Sequence, residues 1–279
     1  GAVSRGVGRG PAGLAVARVA HARRQLAGWG HAVTSGPATI VAFISGADMG
    51  PPNADRHYGE RLLRLPGIGT CYRQPALPDR APRARFKLPD DRVLLLCPQS
   101  LFKIHPDNDA LFAAVLAANP RASLVMFNGR HPRVTELLLN RIGRVFDAHG
   151  ISARERLIVL PPHPHEDYLR INLACDAMLD TLHWSGGNTS LDALACGLPV
   201  ITLPGDFMRG RQSAAMLRLA GAPELIVRDR DDYVRAATRV VNDVAWRHQL
   251  AETIRDGRAA LFDTRAPVQA CAELLATDR

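Results

Sequence analysis

The stretch LDTLHWSGGNTSLDALACGLPVITLPG, residues 179 to 205, sets glycines and small polar groups between two short apolar runs around Met178 and Val200. Gly186 and Gly187 remove side chains where backbone must approach a ligand, and Asn188, Thr189 and Ser190 open a helix-like segment. A helix N-terminus carries roughly half a positive charge and outward N–H groups, so such a turn suits an anion. Thr189 and Ser190 add hydroxyls, and Asn188 is a good N-cap. Asp192 is expected in the first turn, where it either accepts hydrogen bonds from a ribose or complements the helix dipole. A second loop, CPQSLFKIHPDND at 97 to 109, places Lys103 after another apolar run and before another helix. Lys103 there either neutralises charge on a leaving diphosphate or faces solvent. A third loop, LPGDFMRGRQS at 203 to 213, carries Arg209 and Arg211, which suit anions and neighbouring acids equally.

The glycine turn lacks the lysine-serine pair of a Walker loop and the GxGxxG order of a dinucleotide fold, which leaves an anion site of another kind. His163, His165 and His183 fall in loops on the same side, but their spacing matches no zinc motif, so no metal is expected.

These loops need strands ending and helices beginning at one edge. Residues 92 to 99, 123 to 129, 156 to 162, 176 to 181, 199 to 205 and 224 to 229 are short, apolar, β-branched runs that read as strands. Helix-like stretches separate most of them, including one opened by Pro106 and one ending at Gly150. Strands buried on both faces and alternating with helices predict a parallel, doubly wound α/β sheet over 92 to 260. Ligands in such sheets sit beyond the carboxyl ends of the strands. Upstream, a helix is expected near 14 to 26, a strand in PATIVAFISGAD, and a short helix around Tyr58, Leu62 and Leu65. Residues 73 to 91, with four prolines, read as a linker.

At 279 residues the chain has room for more than one structural unit. No apolar run spans a bilayer and no secretory leader is recognisable, so a soluble, cytoplasmic protein without membrane contact is expected. Five scattered cysteines without a CxxC pair predict reduced, buried thiols. The formal charge of +8 is uneven: Arg5, Arg9, Arg18, Arg23 and Arg24 lie in a segment without acids, leaving only +3 from residue 48 onward. That modest surplus, with no aromatic-interleaved basic stripe, argues against nucleic acid as a partner.

Five blocks taken in order, GWGHAVTSGPATI, YGERLLRLPG, CPQSLFKIHPDND, the 179 to 205 stretch, and RGRQSAAMLRLAGAPELIVRDRDDYVRAA, resemble the catalytic region of the protein O-GlcNAc transferase family, in its SPINDLY-like and bacterial tetratricopeptide-linked branch. The resemblance covers roughly residues 25 to 275. It implies an α/β protein of GT-B type: a complete Rossmann-like C-terminal lobe at 92 to 279, a remnant of the N-terminal lobe with linker at 25 to 91, and a disordered or atypical segment at 1 to 24. It implies an inverting, metal-independent glycosyltransferase that moves a sugar, typically N-acetylglucosamine, from a UDP-sugar to serine or threonine of an acceptor protein. No cofactor is implied beyond the UDP-sugar substrate, and tetratricopeptide repeats would precede the chain.

By the same resemblance Lys103 contacts the donor diphosphate. The nucleotide-sugar site comprises Gln99, Ser100, Tyr168, Gly186, Gly187, Asn188, Thr189, Ser190, Asp192 and Arg211, with Thr189 at the phosphates and Asp192 at the ribose. His31, Thr34 and Ser35 belong to a retained motif, together with Gly30 and Gly36, that would face the interlobe cleft. Departures fall at Gly187 and Asn188, where the family has histidine and threonine, and at Tyr168, where it has a histidine near the uracil. These leave the donor open. Two other readings are a nucleotide-sugar-binding fragment without turnover and a non-hydrolysing epimerase or other GT-B relative.

Overall fold

The computed structural model describes residues 2–4, 19, 25–28, 30 and 33–276. Leu94, Leu95 and Leu96 are all fully buried, as successive residues are in a strand covered on both faces. They belong to β5 (Val93–Leu96), the centre of a five-stranded, all-parallel sheet in the order β7-β6-β5-β8-β9. Its other strands are β6 (Ala122–Phe127), β7 (Leu157–Leu160), β8 (Ala177–Leu179) and β9 (Val200–Ile201). The chain moves outward from β5 through β6 to β7, then returns to β8 on the other side of β5. Adjacent helices therefore leave opposite faces between β5 and β8, and this switch point is where an open α/β sheet has its crevice.

Helices α1 (Asp107–Ala118), α2 (Pro132–Ala148), α3 (Ala153–Arg156), α4 (His165–Ala174), α5 (Asn188–Ala195), α6 (Gln212–Leu219), α7 (Arg230–Asn242) and α8 (Val244–Gly257) connect or flank these strands. Five of the six expected strands form. The sixth, at 224 to 229, is instead a short 3-10 turn at Pro223–Leu225 with one parallel bridge, Thr202 to Ile226. β9 has only two residues, so its neighbour finds little ladder to extend.

A second parallel sheet runs β1 (Ala2–Ser4), β2 (Gln25–Gly28), β3 (Ile40–Gly46), β4 (Arg61–Leu65). It corrects two expectations. Residues 25 to 28 are strand where a helix was expected to end, and Arg61–Leu65 is strand although Tyr58, Leu62 and Leu65 have helical spacing. Over so few residues the period cannot separate helix from strand, and pairing with β3 decides. The expected site residue His31 lies outside the described residues.

One apolar core runs through both sheets, joining Ala27, Ile40, Phe43 and Met49 to the β5, β6 and β8 leucines and methionines. The opposite face of this N-terminal sheet, with Leu26, Ala42, Ile44 and Leu65, is covered by Ala270, Cys271 and Leu274 of α9 (Ala266–Ala276). The C-terminal helix thus returns to the N-terminal sheet. The proline-rich segment at 73 to 91 has no strand or α-helix, yet it is pinned down. Phe86 and Leu88 are buried, and Arg83 donates to the Ala174, Pro89 and Arg92 carbonyls and to Asp176. All five cysteines are unpaired; Cys97, Cys175 and Cys196 are buried, while Cys71 is exposed and Cys271 half-buried. No helix among the described residues is long and apolar enough to cross a membrane.

The residue that fixes the switch point is Asp180, fully buried just after β8. Its carboxylate accepts from the Gly186 amide at 2.8 Å and from the Thr202 hydroxyl at 2.7 Å, and its carbonyl accepts from Tyr233 at 2.8 Å. Burial pushes its pKa up to about 6, against the opposing pull of those hydrogen bonds. Unfolded, the carboxyl titrates near 4, so between about pH 4 and 6 the folded chain holds a proton that the unfolded chain has released. Stability therefore falls as pH rises through that window, by about 3 kcal/mol for this one group. Urea denaturation of the wild type and Asp180→Asn at pH 4 and 7 should show the variant gaining by about that amount relative to wild type at the higher pH. A level difference would mean that the carboxyl is ionised throughout.

Candidate functional site

Two loops meet at the switch point. After β5 the chain makes a 3-10 turn, Leu101–Lys103, with Leu101 buried beneath it and Phe102 exposed above it. Gln99 braces this turn: its amide nitrogen donates to the Thr181 hydroxyl at 3.2 Å and to the Trp184 carbonyl at 3.0 Å, and its oxygen accepts from the Ser100 amide at 2.9 Å. Gln99 thus spends its polar groups joining the two loops, while Ser100 is exposed. Lys103 is half-buried, its ammonium 4.7 Å from the centre of the Trp184 ring. An ammonium over an indole face is attracted by the ring quadrupole and is held beside the loop after β8.

After β8, the glycine turn leads into α5. Gly186 serves the turn itself: a β-carbon there would collide with the Ser190 hydroxyl and lie 2.7 Å from that of Thr189. Ser190 turns inward, its hydroxyl 2.7 Å from that of Ser213, and Ser185 accepts from the Gln212 and Ser213 amides at the start of α6. Two expectations change here. The N-cap position is Gly187, not Asn188, and Asn188 as first helical residue accepts instead from the Tyr72 hydroxyl at 3.0 Å. Asp192 is the fifth helical residue, past the first turn, which weakens a helix-dipole role. Thr189 is half-buried at the N-terminal end.

Asp192 is mostly buried and takes a 3.2 Å contact from His165 Nε2. Burial raises its pKa, and His165 opposes that rise. His165 also stacks on Tyr168, with ring centres 6.2 Å apart and planes 23° from parallel. Tyr168 packs against Phe127 as well, and burial drives its hydroxyl far above the usual phenol range. His165, Tyr168 and Asp192 therefore form one wall, supplied by α4 and α5. His165 opens α4, whereas the sequence places it in a loop.

The third loop is anchored by Gly205 to Gly210 and by the Arg209 carbonyl accepting from the Ser185 amide at 2.7 Å. Arg211 donates to the Gly205 carbonyl at 2.8 Å; its Nε is buried without a hydrogen-bond partner, and burial lowers its pKa, with Arg218 adding to the effect. Arg209 instead lies over the exposed Phe207 ring.

Segment 33 to 72 contributes the facing edge. The Thr34 hydroxyl and Ser35 amide donate to Glu60 at 2.6 and 2.8 Å. Burial works against ionisation of Glu60, but these hydrogen bonds prevail and hold its carboxyl below the usual range. Nearby, the Tyr58 hydroxyl reaches Met208 Sδ at 3.5 Å, and His57 packs 4.8 Å from Phe207. Burial pushes the Tyr58 hydroxyl up to about 12. These cross-segment partners, Glu60, Tyr58 and Tyr72, escaped the sequence reading because nothing local signals them; their aromatic or acidic type within a glycine-flanked motif was the one available sign.

Similarity to known proteins extends over most of the chain. Residues 72–271 match glycosyl transferase family 41. The probable UDP-N-acetylglucosamine–peptide N-acetylglucosaminyltransferase SPINDLY of Solanum lycopersicum is 27% identical over 229 residues, 81% of this chain and 24% of the relative. The UDP-N-acetylglucosamine–peptide N-acetylglucosaminyltransferase of Caenorhabditis elegans is 28% identical over 161 residues, 58% of this chain and 14% of the relative. The chain thus spans about a quarter or less of the length of these relatives. Among solved structures, a mutant O-GlcNAc transferase of Thermobaculum terrenum superposes with a TM-score of 0.78 and 31% identity, over 92% of this chain and 48% of that one. WaaG, a glycosyltransferase of lipopolysaccharide biosynthesis, shares the fold at a TM-score of 0.58 and 14% identity. The architecture is therefore α/β of GT-B type. The family match begins at Tyr72, whose hydroxyl reaches the glycine turn, and runs through every loop at the switch point into α9, so the chain belongs to glycosyl transferase family 41.

Proposed function

We propose that this chain forms the donor-binding part of an enzyme that transfers N-acetylglucosamine from UDP to serine or threonine of an acceptor protein. The observation that carries this reading is the convergence, at the switch point of a family 41 sheet, of Lys103, the N-terminus of α5 and the Asp192 carboxylate. The anionic diphosphate faces the α5 amides and Thr189, and the nucleoside lies along the wall of His165, Tyr168 and Asp192. For Asp192 to accept from a ribose, its contact with His165 must loosen or be shared.

In the transfer step the acceptor hydroxyl attacks the anomeric carbon from the face opposite the diphosphate and gives up its proton to solvent, the bond from that carbon to the diphosphate oxygen breaks, and configuration inverts. Negative charge grows on the departing UDP. Lys103 and the α5 amides stabilise it without a resident cofactor, because a preorganised cation and backbone dipoles act on charge as it develops. Held against Trp184, the lysine loses little freedom when it engages.

Tyr168, Gly187 and Asn188 bear on donor choice. Tyr168 offers a half-buried ring to a base, and Asn188, already tied to Tyr72, is less available to a phosphate than a free side chain would be. A binding fragment without turnover is the competing reading. A labelled-sugar transfer assay onto protein, with this chain and with the longer protein containing it, separates the two.

In the longer, active protein, Lys103→Ala should lower kcat by roughly 100- to 1000-fold, with a smaller change in KM for the UDP-sugar. Unchanged turnover would remove the lysine from the leaving-group role. Asp192→Asn should weaken UDP binding by about tenfold, measured by calorimetric titration of this chain, which is the scale of one charge-assisted hydrogen bond. Equal affinity for wild type and variant would place the ribose elsewhere.

A further inference from the structure

Beside the donor crevice lies a group of side chains that the transfer step does not use. His105 follows Lys103 by two residues, Asp107 is the first residue of α1, and His183 precedes Trp184 in the loop after β8. One ligand atom from each of the three lies within 4.8 Å of the others. His183 Nε2 is 2.8 Å from Asp107 Oδ2, His105 Nδ1 is 3.5 Å from Asp107 Oδ1, and the two imidazole rings pack edge to face with centres 4.6 Å apart. All three side chains reach solvent.

The two loops that carry them are locked together from beneath. Asn108 is fully buried; its amide nitrogen donates to the His105 carbonyl at 3.0 Å, and its oxygen accepts from the Leu182 amide at 2.8 Å. His183 itself sits at φ +68°, a left-handed conformation uncommon for a histidine. The two loops are therefore held beside each other by the fold, and an ion would have only to draw the three side chains slightly closer.

We propose that His105, Asp107 and His183 form a binding site for a divalent transition ion of the zinc class, with water completing its coordination. Two imidazoles and one carboxylate are borderline donors, which suit zinc, cobalt, nickel or copper and do not suit magnesium or calcium, whose ligands are oxygens. The site is separate from the donor chemistry and does not depend on the transferase reading. Its position has a mechanical consequence: an ion there bridges the loop after β5 to the loop after β8, the same two loops that hold Lys103 against Trp184.

Arg230 gives the proposal a sign that adventitious binding would not reproduce. Its guanidinium donates to Asp107 Oδ2 at 2.9 Å, the oxygen that His183 also contacts, so a cation is already paired with the carboxylate. A dication entering the triad is repelled by that charge and competes with it for the same oxygen. Removing Arg230 should therefore strengthen metal binding, whereas removing a ligand should abolish it.

The test is titration of the whole chain with zinc chloride by calorimetry and with cobalt chloride by visible absorption, at neutral pH in a non-chelating buffer. The expected result is one equivalent bound, with cobalt bands of a four- or five-coordinate ion. His183→Asn, chosen because asparagine tolerates the left-handed backbone, should lose the bands and at least tenfold in affinity. Asp107→Asn should do the same, Arg230→Gln should bind several-fold more tightly, and His248→Ala, at a remote histidine, should match the wild type. Zinc should raise the melting temperature of the wild type and not that of His183→Asn, and far-ultraviolet circular dichroism confirms that each variant is folded. Absence of a stoichiometric site, equal binding by His183→Asn, loss of binding in His248→Ala, or weaker binding by Arg230→Gln would each overturn the assignment.

Discussion

A buried carboxylate with satisfied hydrogen bonds holds this site in place. Asp180 stands where β8 ends, and its contacts reach the glycine turn, β9 through Thr202, and α7 through Tyr233. An unpaired carboxylate in that position would carry a large desolvation cost, so the surrounding groups are committed to it and cannot drift independently. The glycine turn inherits its position from this constraint. Ser185, Ser190 and Ser213 then pass it on to α6, so the end of one strand determines where two helices begin.

From that anchor the three loops acquire different duties. The loop after β5 is bound to the loop after β8 by Gln99 and Asn108, both buried, and it leaves Lys103 at the rim. The loop after β9 is tied to Ser185 through Arg209 and reaches toward segment 33 to 72 through Met208 and Phe207. Together with the Tyr72 contact to Asn188, these put the loops of the four-stranded N-terminal sheet against the carboxyl edge of the five-stranded sheet. A core continuous through both sheets and a C-terminal helix that closes over β4 keep that edge from separating.

The sequence carried the site's location better than its internal wiring. Strand, loop and helix alternate in a local pattern, so the positions of Lys103 and the glycine turn at one edge could be read from apolar runs and helix starts. What each polar residue touches depends on partners far away in the chain. Gln99 and Ser190, read as donor contacts, spend their polar groups inside the protein, and Asn188 is claimed by a tyrosine more than a hundred residues earlier. The same limit explains β4, whose apolar spacing fits two periods until β3 is beside it. It also explains the two histidines beside Asp107: a spacing rule looks along one segment, and these ligands come from two loops.

The charge distribution fits this division of labour. Of the net charge of +8, five units lie in the first 24 residues and residues from 48 onward carry +3. A surplus that small leaves attraction for an anion chiefly to local contacts. Arg211 illustrates how that is arranged: its guanidinium spends one hydrogen bond on the Gly205 carbonyl, while Nε is buried without a hydrogen-bond partner. A partly desolvated guanidinium is costly, and Asp206, the acid that acts on it, offsets only part of that cost. In the donor-binding reading proposed above, a negatively charged group beside Arg211 offsets more of that cost than a neutral one can.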